Sequence, residues 1–299
     1  ENWLIPHFEK MLYDNVQFLI LLAKFSKIKP DKYYLKKIKQ TINFLMKDFL
    51  SKETQLLGSA LDADSEGVEG KYYVFDYNEI KNIKNIEKFF DVKPQGNWEG
   101  KIILEELKEP SDLTINDLRK IRNKREKPFF DNKTQLDLNC IWISSLVTLH
   151  SVLPGENYLT MAENFFDKIE KRYLIKNIYH SYSKDISFLE DYAFLIQALL
   201  DLADTTMNPK YRILAKKYCS EVIEKFYDKK MKIFQKNEIE KNDIFFNPID
   251  ISDNTIPNGN AVMLINFSRL GFISEAKELS NSLNGYLNIY KGFMTSSLK

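Results

Sequence analysis

The sequence predicts an all-α fold: helical hairpins closed into an (α/α) toroid, with short β-ribbons in the loops. Three observations predict it. Apolar residues recur at spacings of three and four over most of the chain. Helix breakers fall between those stretches rather than inside them. The connections are unequal, so that short links alternate with long loops carrying Gly, Asp, Asn or Trp. Consecutive helices with short links read as antiparallel hairpins, and long loops gathered at one end read as the mouth of a site. No strict repeat of fixed period appears, which disfavours an ordinary solenoid.

Phe8–Phe25 places Met11, Leu12, Asn15, Phe18, Leu19 and Leu22 along one side. Asp31–Leu50 resumes after Pro30 with Tyr34, Ile38, Ile42, Leu45 and Phe49 in helical register. Ile115–Arg125, Asp137–Leu153, Leu159–Tyr173, Phe188–Thr205, Pro209–Phe226, Asn258–Leu270 and Ile273–Asn284 complete the helical set. Pro154-Gly155, Asn208-Pro209 and Gly271 punctuate it. Lys71–Phe75 and Ile102–Leu104 read as strands, Lys176–Ser183 and Lys232–Gln235 as short ribbons. The long loops are Asp62–Gly70, Pro94–Gly100, Pro128–Lys133 and Asp250–Asn260. Composition barely shifts along the chain, so a single domain over residues 1–299 is expected.

Lys+Arg 43 against Asp+Glu 42 leaves a net charge of +1, which gives no global field for nucleic acid or an anionic membrane. Cys140 and Cys219 stand in separate helical stretches without a CxxC or a neighbouring His. A disulfide framework and a structural zinc are therefore unexpected, and a reducing, cytoplasmic location fits. The longest apolar run, Phe18–Ala23, is too short to span a bilayer.

Chemistry concentrates first in the loop Asp62-Ala-Asp64-Ser-Glu66-Gly-Val-Glu69. Crowded carboxylates repel one another, and a cation, a sugar's hydroxyls or a shared proton relieves the cost. An EF-hand register starting at Asp62 would need Glu at its twelfth position; Tyr73 stands there, so that reading fails. Acid–base work by a carboxylate pair, as in glycoside hydrolysis, is the sharper alternative to a capped turn. His7 beside Glu9 can titrate near neutrality. Glu190-Asp191-Tyr192 opens an otherwise apolar helix, where the dipole favours carboxylates but at least one side chain should point inward. Trp98 between Gly96 and Gly100 suits stacking on a sugar or plugging a loop. Asn258-Gly259-Asn260 offers donors at a helix start, as ligand or as cap. His150 reads as a core or helix-end residue and His180 as a loop residue, so a two-histidine mechanism has little support. Dinucleotide and phosphate-loop glycine patterns and a Gly-x-Ser-x-Gly elbow are absent.

Several blocks resemble one family. Trp3-Leu-Ile-Pro-His7-Phe-Glu9-Lys-Met-Leu-Tyr13-Asp14-Asn15, Ser59–Lys71, Gly96–Lys101, Phe188–Ile196 and Pro257–Asn260 are similar to motifs of the YyaL-type proteins, which include the spermatogenesis-associated thioredoxin-like proteins. The resemblance implies an (α/α) toroid similar to six-hairpin glycosidases and N-acylglucosamine 2-epimerases. In such proteins the toroid follows a thioredoxin-like domain in the same chain; opening at Glu1, inside a motif, this sequence reads as a fragment lacking that domain and the first helices. Leu138 stands where the family carries Trp before Asn139, and Asn258 where it carries Ser.

The combined expectation is a carbohydrate-type pocket working by acid–base chemistry on a sugar or polyol, with no cofactor and no metal. Asp62, Asp64, Glu66, Glu9, His7 and Glu190 are the expected catalytic groups. Tyr13, Asp14, Glu69, Trp98, Asp131, Asn139, Asp191, Tyr192, Asn258 and Asn260 are the expected substrate contacts. The competing expectation is a non-catalytic binding module serving the thioredoxin-like domain. Neither nucleic acid nor a membrane is expected as a partner.

Overall fold

The computed structural model describes residues 5–175, 177–182, 186–239, 246–290 and 294–298. Trp3 of the first block, and Lys176 and Ser183 at the ends of an expected ribbon, lie outside the described residues. In chain order the elements are β1 (Lys10–Met11), α1 (Leu12–Ile28), α2 (Lys32–Phe44), β2 (Ala60–Leu61), β3 (Asp64–Ser65), β4 (Val68–Glu69), α3 (Tyr77–Ile80), α4 (Ile86–Phe89) and α5 (Asp112–Arg122). There follow β5 (Phe130–Asp131), α6 (Leu136–His150), α7 (Tyr158–Tyr173), α8 (Leu189–Thr206), α9 (Pro209–Phe226), β6 (Tyr227–Asp228), β7 (Ile233–Phe234), α10 (Gly259–Leu270) and α11 (Ile273–Tyr290). They divide into two compact units. Unit 1 comprises Glu1–Met11 and Ala60–Asp131, and unit 2 Leu12–Ser59 and Asn132–Lys299.

Unit 2 is the helical unit. α6 and α8 form its centre: α6 packs on α1, α7 and α8, while α8 packs on α6, α9 and α10. Their sequences explain why. Apolar residues occupy nearly every face of Leu136–His150 and of Leu189–Ala203, the pattern of a helix surrounded by others. By contrast α2 and α7 are apolar along one stripe, and they bury that stripe alone. The ends are set locally. Asp31 Oδ1 accepts from Tyr33 N–H (2.8 Å), and Asn208 Oδ1 accepts from Lys210 N–H (3.0 Å) beside Pro209 at the first helical position. Gly271 closes α10 in the left-handed region, φ +82°, where a side chain would be strained. The ribbon expected at Lys232–Gln235 is present as β6 paired with β7.

Unit 1 holds a small antiparallel sheet in the order β1-β2-β5, a two-stranded hairpin β3-β4, and a core of Phe75, Ile80, Ile86, Phe90, Val92, Ile102 and Leu118. Two expectations are corrected here. The first helix begins at Leu12 rather than Phe8, because Lys10 and Met11 pair with Leu61 and Ala60 as β1. Lys71–Phe75 is not a strand: Tyr73 and Val74 N–H both turn back to Gly70 O (2.8 and 3.1 Å). Arg125 holds that turn by donating to the carbonyls of Lys71, Tyr72 and Val74, and only Phe75 bridges to Ile102. Among the described residues no helix is long and apolar enough to cross a membrane.

Candidate functional site

The N-terminal ends of α6, α8 and α10 enclose a cavity of about 380 Å³ in unit 2. Asp137 comes from the first turn of α6, Phe188 and Glu190 from the start of α8, and Lys236 from just beyond β7. His180 and Asp250 come from loops, and Ser252–Asn258 forms a further wall.

The chemistry of this cavity is a chain of part-buried hydrogen bonds. His180 Nδ1 lies 2.9 Å from Asp191 Oδ1, and Asp191 is wholly buried. The other oxygen of Asp191 accepts from Phe188 N–H (2.9 Å), so the carboxylate is fixed at the helix start and fixes the imidazole in turn. His180 Nε2 is 2.9 Å from the side-chain nitrogen of Gln135, whose oxygen lies 2.9 Å from Ser59 Oγ. Ser59 Oγ also lies 2.7 Å from Lys133 O. The Gln135 NH₂ donates to Nε2, so both ring nitrogens of His180 are held by hydrogen bonds.

Burial alone would lower the His180 pKa, but the Asp191 hydrogen bond and the charges of Asp191, Asp137 and Glu190 outweigh it and raise it. Asp137, 7 % exposed, accepts from Leu138 N–H through Oδ1 (2.7 Å). Its carboxyl is pushed up to about 7, first by burial and then by the charge of Asp191. Glu190 is raised as well, mainly by burial. Gly259 makes room for it: a Cβ there would meet Leu189 Cγ at 2.7 Å and Glu190 Oε1 at 3.2 Å. Asp137, His180 and Asp191 are also the described residues whose ligand atoms lie close enough, within 4.8 Å, to hold a metal ion. Nδ1 is engaged by Asp191 and Nε2 by Gln135.

Of the expected site residues, Glu190 and Asn258 line this cavity. Asp191 does not line the cavity; it is wholly buried behind His180, 2.9 Å from its Nδ1. Asn258 Oδ1 caps α10 by accepting from Ala261 N–H (2.9 Å), and its NH₂ donates to Asp253 (2.9 Å). Three other expected contacts have structural duties. Asn139 exchanges hydrogen bonds with both backbone groups of Leu57 (2.9 and 3.0 Å), and Asn260 does the same with Phe234 (2.9 and 3.1 Å). Both asparagines are completely buried. Tyr192 is buried against Phe226 and donates to Glu221 (2.6 Å). Tyr13 is half-buried on α1 and Asp14 exposed in its first turn; neither lines the cavity.

In unit 1 Asp62, Asp64, Glu66 and Glu69 are all exposed on the β3-β4 hairpin and its approach. Glu66, at φ +54°, pairs with Lys71 (2.7 Å), and Asp62 Oδ1 accepts from Asp64 N–H (3.3 Å). His7 is exposed, Glu9 half-buried, and Asp131 lies in β5 opposite Ala60. Trp98 is half-buried against Phe8, with ring centroids 5.1 Å apart. Asp137 and His180 are the groups that sequence reasoning missed. The signal available was a carboxylate and a histidine flanking otherwise apolar helices, but no spacing joined them.

No family model matches the chain. It is 28 % identical over 272 residues to an uncharacterized protein of Caenorhabditis elegans, covering 70 % of this chain and 37 % of that one. It is 25 % identical over 273 residues to spermatogenesis-associated protein 20 of Homo sapiens, covering 69 % and 34 %. The family resemblance read from the sequence holds. The chain spans about a third of the length of these relatives. Among solved structures it is similar to cellobiose 2-epimerase from Spirochaeta thermophila, with a TM-score of 0.62 at 11 % identity over 95 % of this chain and 61 % of that one. A D-mannose isomerase (TM-score 0.55, 12 % identity, 91 % and 59 %) and the GH76 α-mannanase of Bacteroides thetaiotaomicron (0.54, 9 %, 91 % and 60 %) are similar as well. The fold is the (α/α) toroid shared by sugar epimerases and glycosidases.

Proposed function

We propose that the unit 2 cavity binds a sugar or polyol and moves a proton on it, with Asp137 as the acid–base group and His180 as its partner. The supporting observation is that buried Asp137 and half-buried His180 line the cavity together, with wholly buried Asp191 hydrogen-bonded behind the imidazole. A carboxyl held near pKa 7 both gives and takes a proton at neutral pH. Asp191 holds the imidazole in one orientation, and Glu190 places a second carboxyl in the same space. The reading moves the acid–base role from the exposed carboxylates of the Asp62–Glu69 loop to groups whose environment tunes them. The toroid neighbours named for sugar epimerisation, isomerisation and mannan hydrolysis support the substrate class only by likeness of fold.

The test is incubation with neutral aldoses, ketoses and disaccharides in D₂O, followed by NMR for deuterium uptake beside the carbonyl and for bond cleavage. Turnover should vanish in Asp137→Asn, fall at least tenfold in His180→Gln, and survive in Asp64→Asn. Sugar binding without turnover in the wild type would refute catalysis and return the domain to the binding-module reading.

A further inference from the structure

Unit 1 contains a second cavity, of about 310 Å³, and Trp98 lines it. The loop that carries the indole is tied down by its own hydrogen bonds. Trp98 and Lys101 exchange backbone hydrogen bonds (3.1 and 2.7 Å) across Glu99 and Gly100, both at positive φ (48° and 75°). That is a two-residue hairpin with left-handed central residues. A Cβ at Gly96 would fall 2.4 Å from Lys101 O, so the preceding backbone must pass where only glycine fits. The Asn97 amide bonds both the N–H and the C=O of Ile103 (2.8 and 2.9 Å). Phe8, 2 % exposed, lies against Trp98 and against Gly70, where a Cβ would meet its ring at 2.8 Å. The indole is therefore backed by one aromatic ring, and half-buried Trp98 lines the cavity.

The polar groups around it alternate in sign. Asp76 is paired with Lys101 (2.8 Å) and Glu79 with Arg125 (2.8 Å). Glu69 and Glu99 also line the cavity, and neither has a cation partner among the described residues. A preorganised aromatic face ringed by acceptors and donors, with a slight excess of negative charge, suits the apolar face and hydroxyls of an uncharged saccharide and disfavours an anionic one.

We propose that unit 1 carries its own saccharide-stacking site, centred on Trp98 with Glu69, Glu99 and Lys101 as hydroxyl partners. It is a binding site without chemistry, and it does not depend on the acid–base reading of unit 2. Tryptophan emission reports it directly. Titration of the Asp137→Asn protein with glucose, mannose, N-acetylglucosamine and their β-1,4-linked dimers should give a saturable shift for at least one of them. Trp98→Ala should abolish that shift, and calorimetry on the same variant should show affinity reduced about tenfold or more. Trp98→Phe, which keeps the contact with Phe8, should retain part of the affinity, and Glu99→Gln should weaken it several-fold. Glucuronate and glucose 6-phosphate should bind more weakly than glucose. The site is refuted if none of the neutral sugars changes the emission, if the change persists in Trp98→Ala, or if the anionic sugars bind best. Loss of catalysis in unit 2 variants bears only on the other proposal.

Discussion

Replacing Asn139 by Ala should cost unit 2 about 3–4 kcal/mol, and the reason lies in what the substitution leaves behind. Asn139 is completely buried on α6, and its side chain serves Leu57, itself completely buried. Oδ1 accepts from Leu57 N–H (2.9 Å), while Nδ2 donates to Leu57 C=O (3.0 Å) and to Gln135 C=O (2.9 Å). Truncation orphans both peptide groups of Leu57, each at roughly 1–3 kcal/mol when no water replaces the partner. The Gln135 carbonyl keeps the Asn139 backbone N–H (3.2 Å) and loses less. The better helix propensity of Ala returns about 0.5 kcal/mol. Against a typical domain stability of 5–15 kcal/mol the loss is large. Urea unfolding followed by circular dichroism should show the midpoint falling while the slope stays constant. Asn139→Asp keeps the acceptor and removes the donors, placing a carboxylate beside a carbonyl in the core. It should be more stable at pH 5 than at pH 8. A loss below about 1 kcal/mol for the Ala variant would mean that the peptide groups of Leu57 find other partners, and the clamp reading would be wrong.

The cavity cluster makes folding pH-dependent with a definite sign. Folded Asp137 holds its proton to about pH 7, whereas an unfolded Asp releases it near 3.9, so stability falls as pH rises between those values. The raised His180 acts in the same direction: its contribution is complete below about pH 6.5 and is lost as pH rises through its higher folded value. Melting temperature should therefore fall from pH 5 to pH 8, and Asp137→Asn should flatten that slope; an unchanged slope refutes the assignment. Gly259→Ala should lower stability by roughly 1–3 kcal/mol, as overpacking does, because the new methyl meets Leu189 and Glu190, and calorimetric melting checks it. Arg125→Met removes the donor to three carbonyls of the Lys71–Val74 turn. It should raise amide exchange there while leaving the exchange of α6 and α8 unchanged.

Much of this molecule is legible from local pattern. The helices of unit 2 follow from apolar spacing with caps such as Asp31, Asn208 and Asn258, because a helix is decided by residues three and four apart and by its own ends. The all-round apolar character of Leu136–His150 and Leu189–Ala203 likewise marks the central helices before any packing is known. Side-chain duties are another matter. Asn139, Asn260 and Tyr192 look like site residues in a motif, yet their partners, Leu57, Phe234 and Glu221, lie 82, 26 and 29 residues away. Asp137 and His180 attract little notice in sequence, and the approach of three helix starts joins them to Glu190 in one cavity, with Asp191 buried behind His180. The acidic loop shows the opposite case: its four carboxylates are crowded in sequence, yet each is exposed, and of the four only Glu69 lines a described cavity. Local spacing determines which segments become helices, because those interactions are short-ranged. Burial and long-range pairing decide which carboxyl shares a proton, because electrostatic tuning depends on what surrounds a group rather than on what precedes it in the chain.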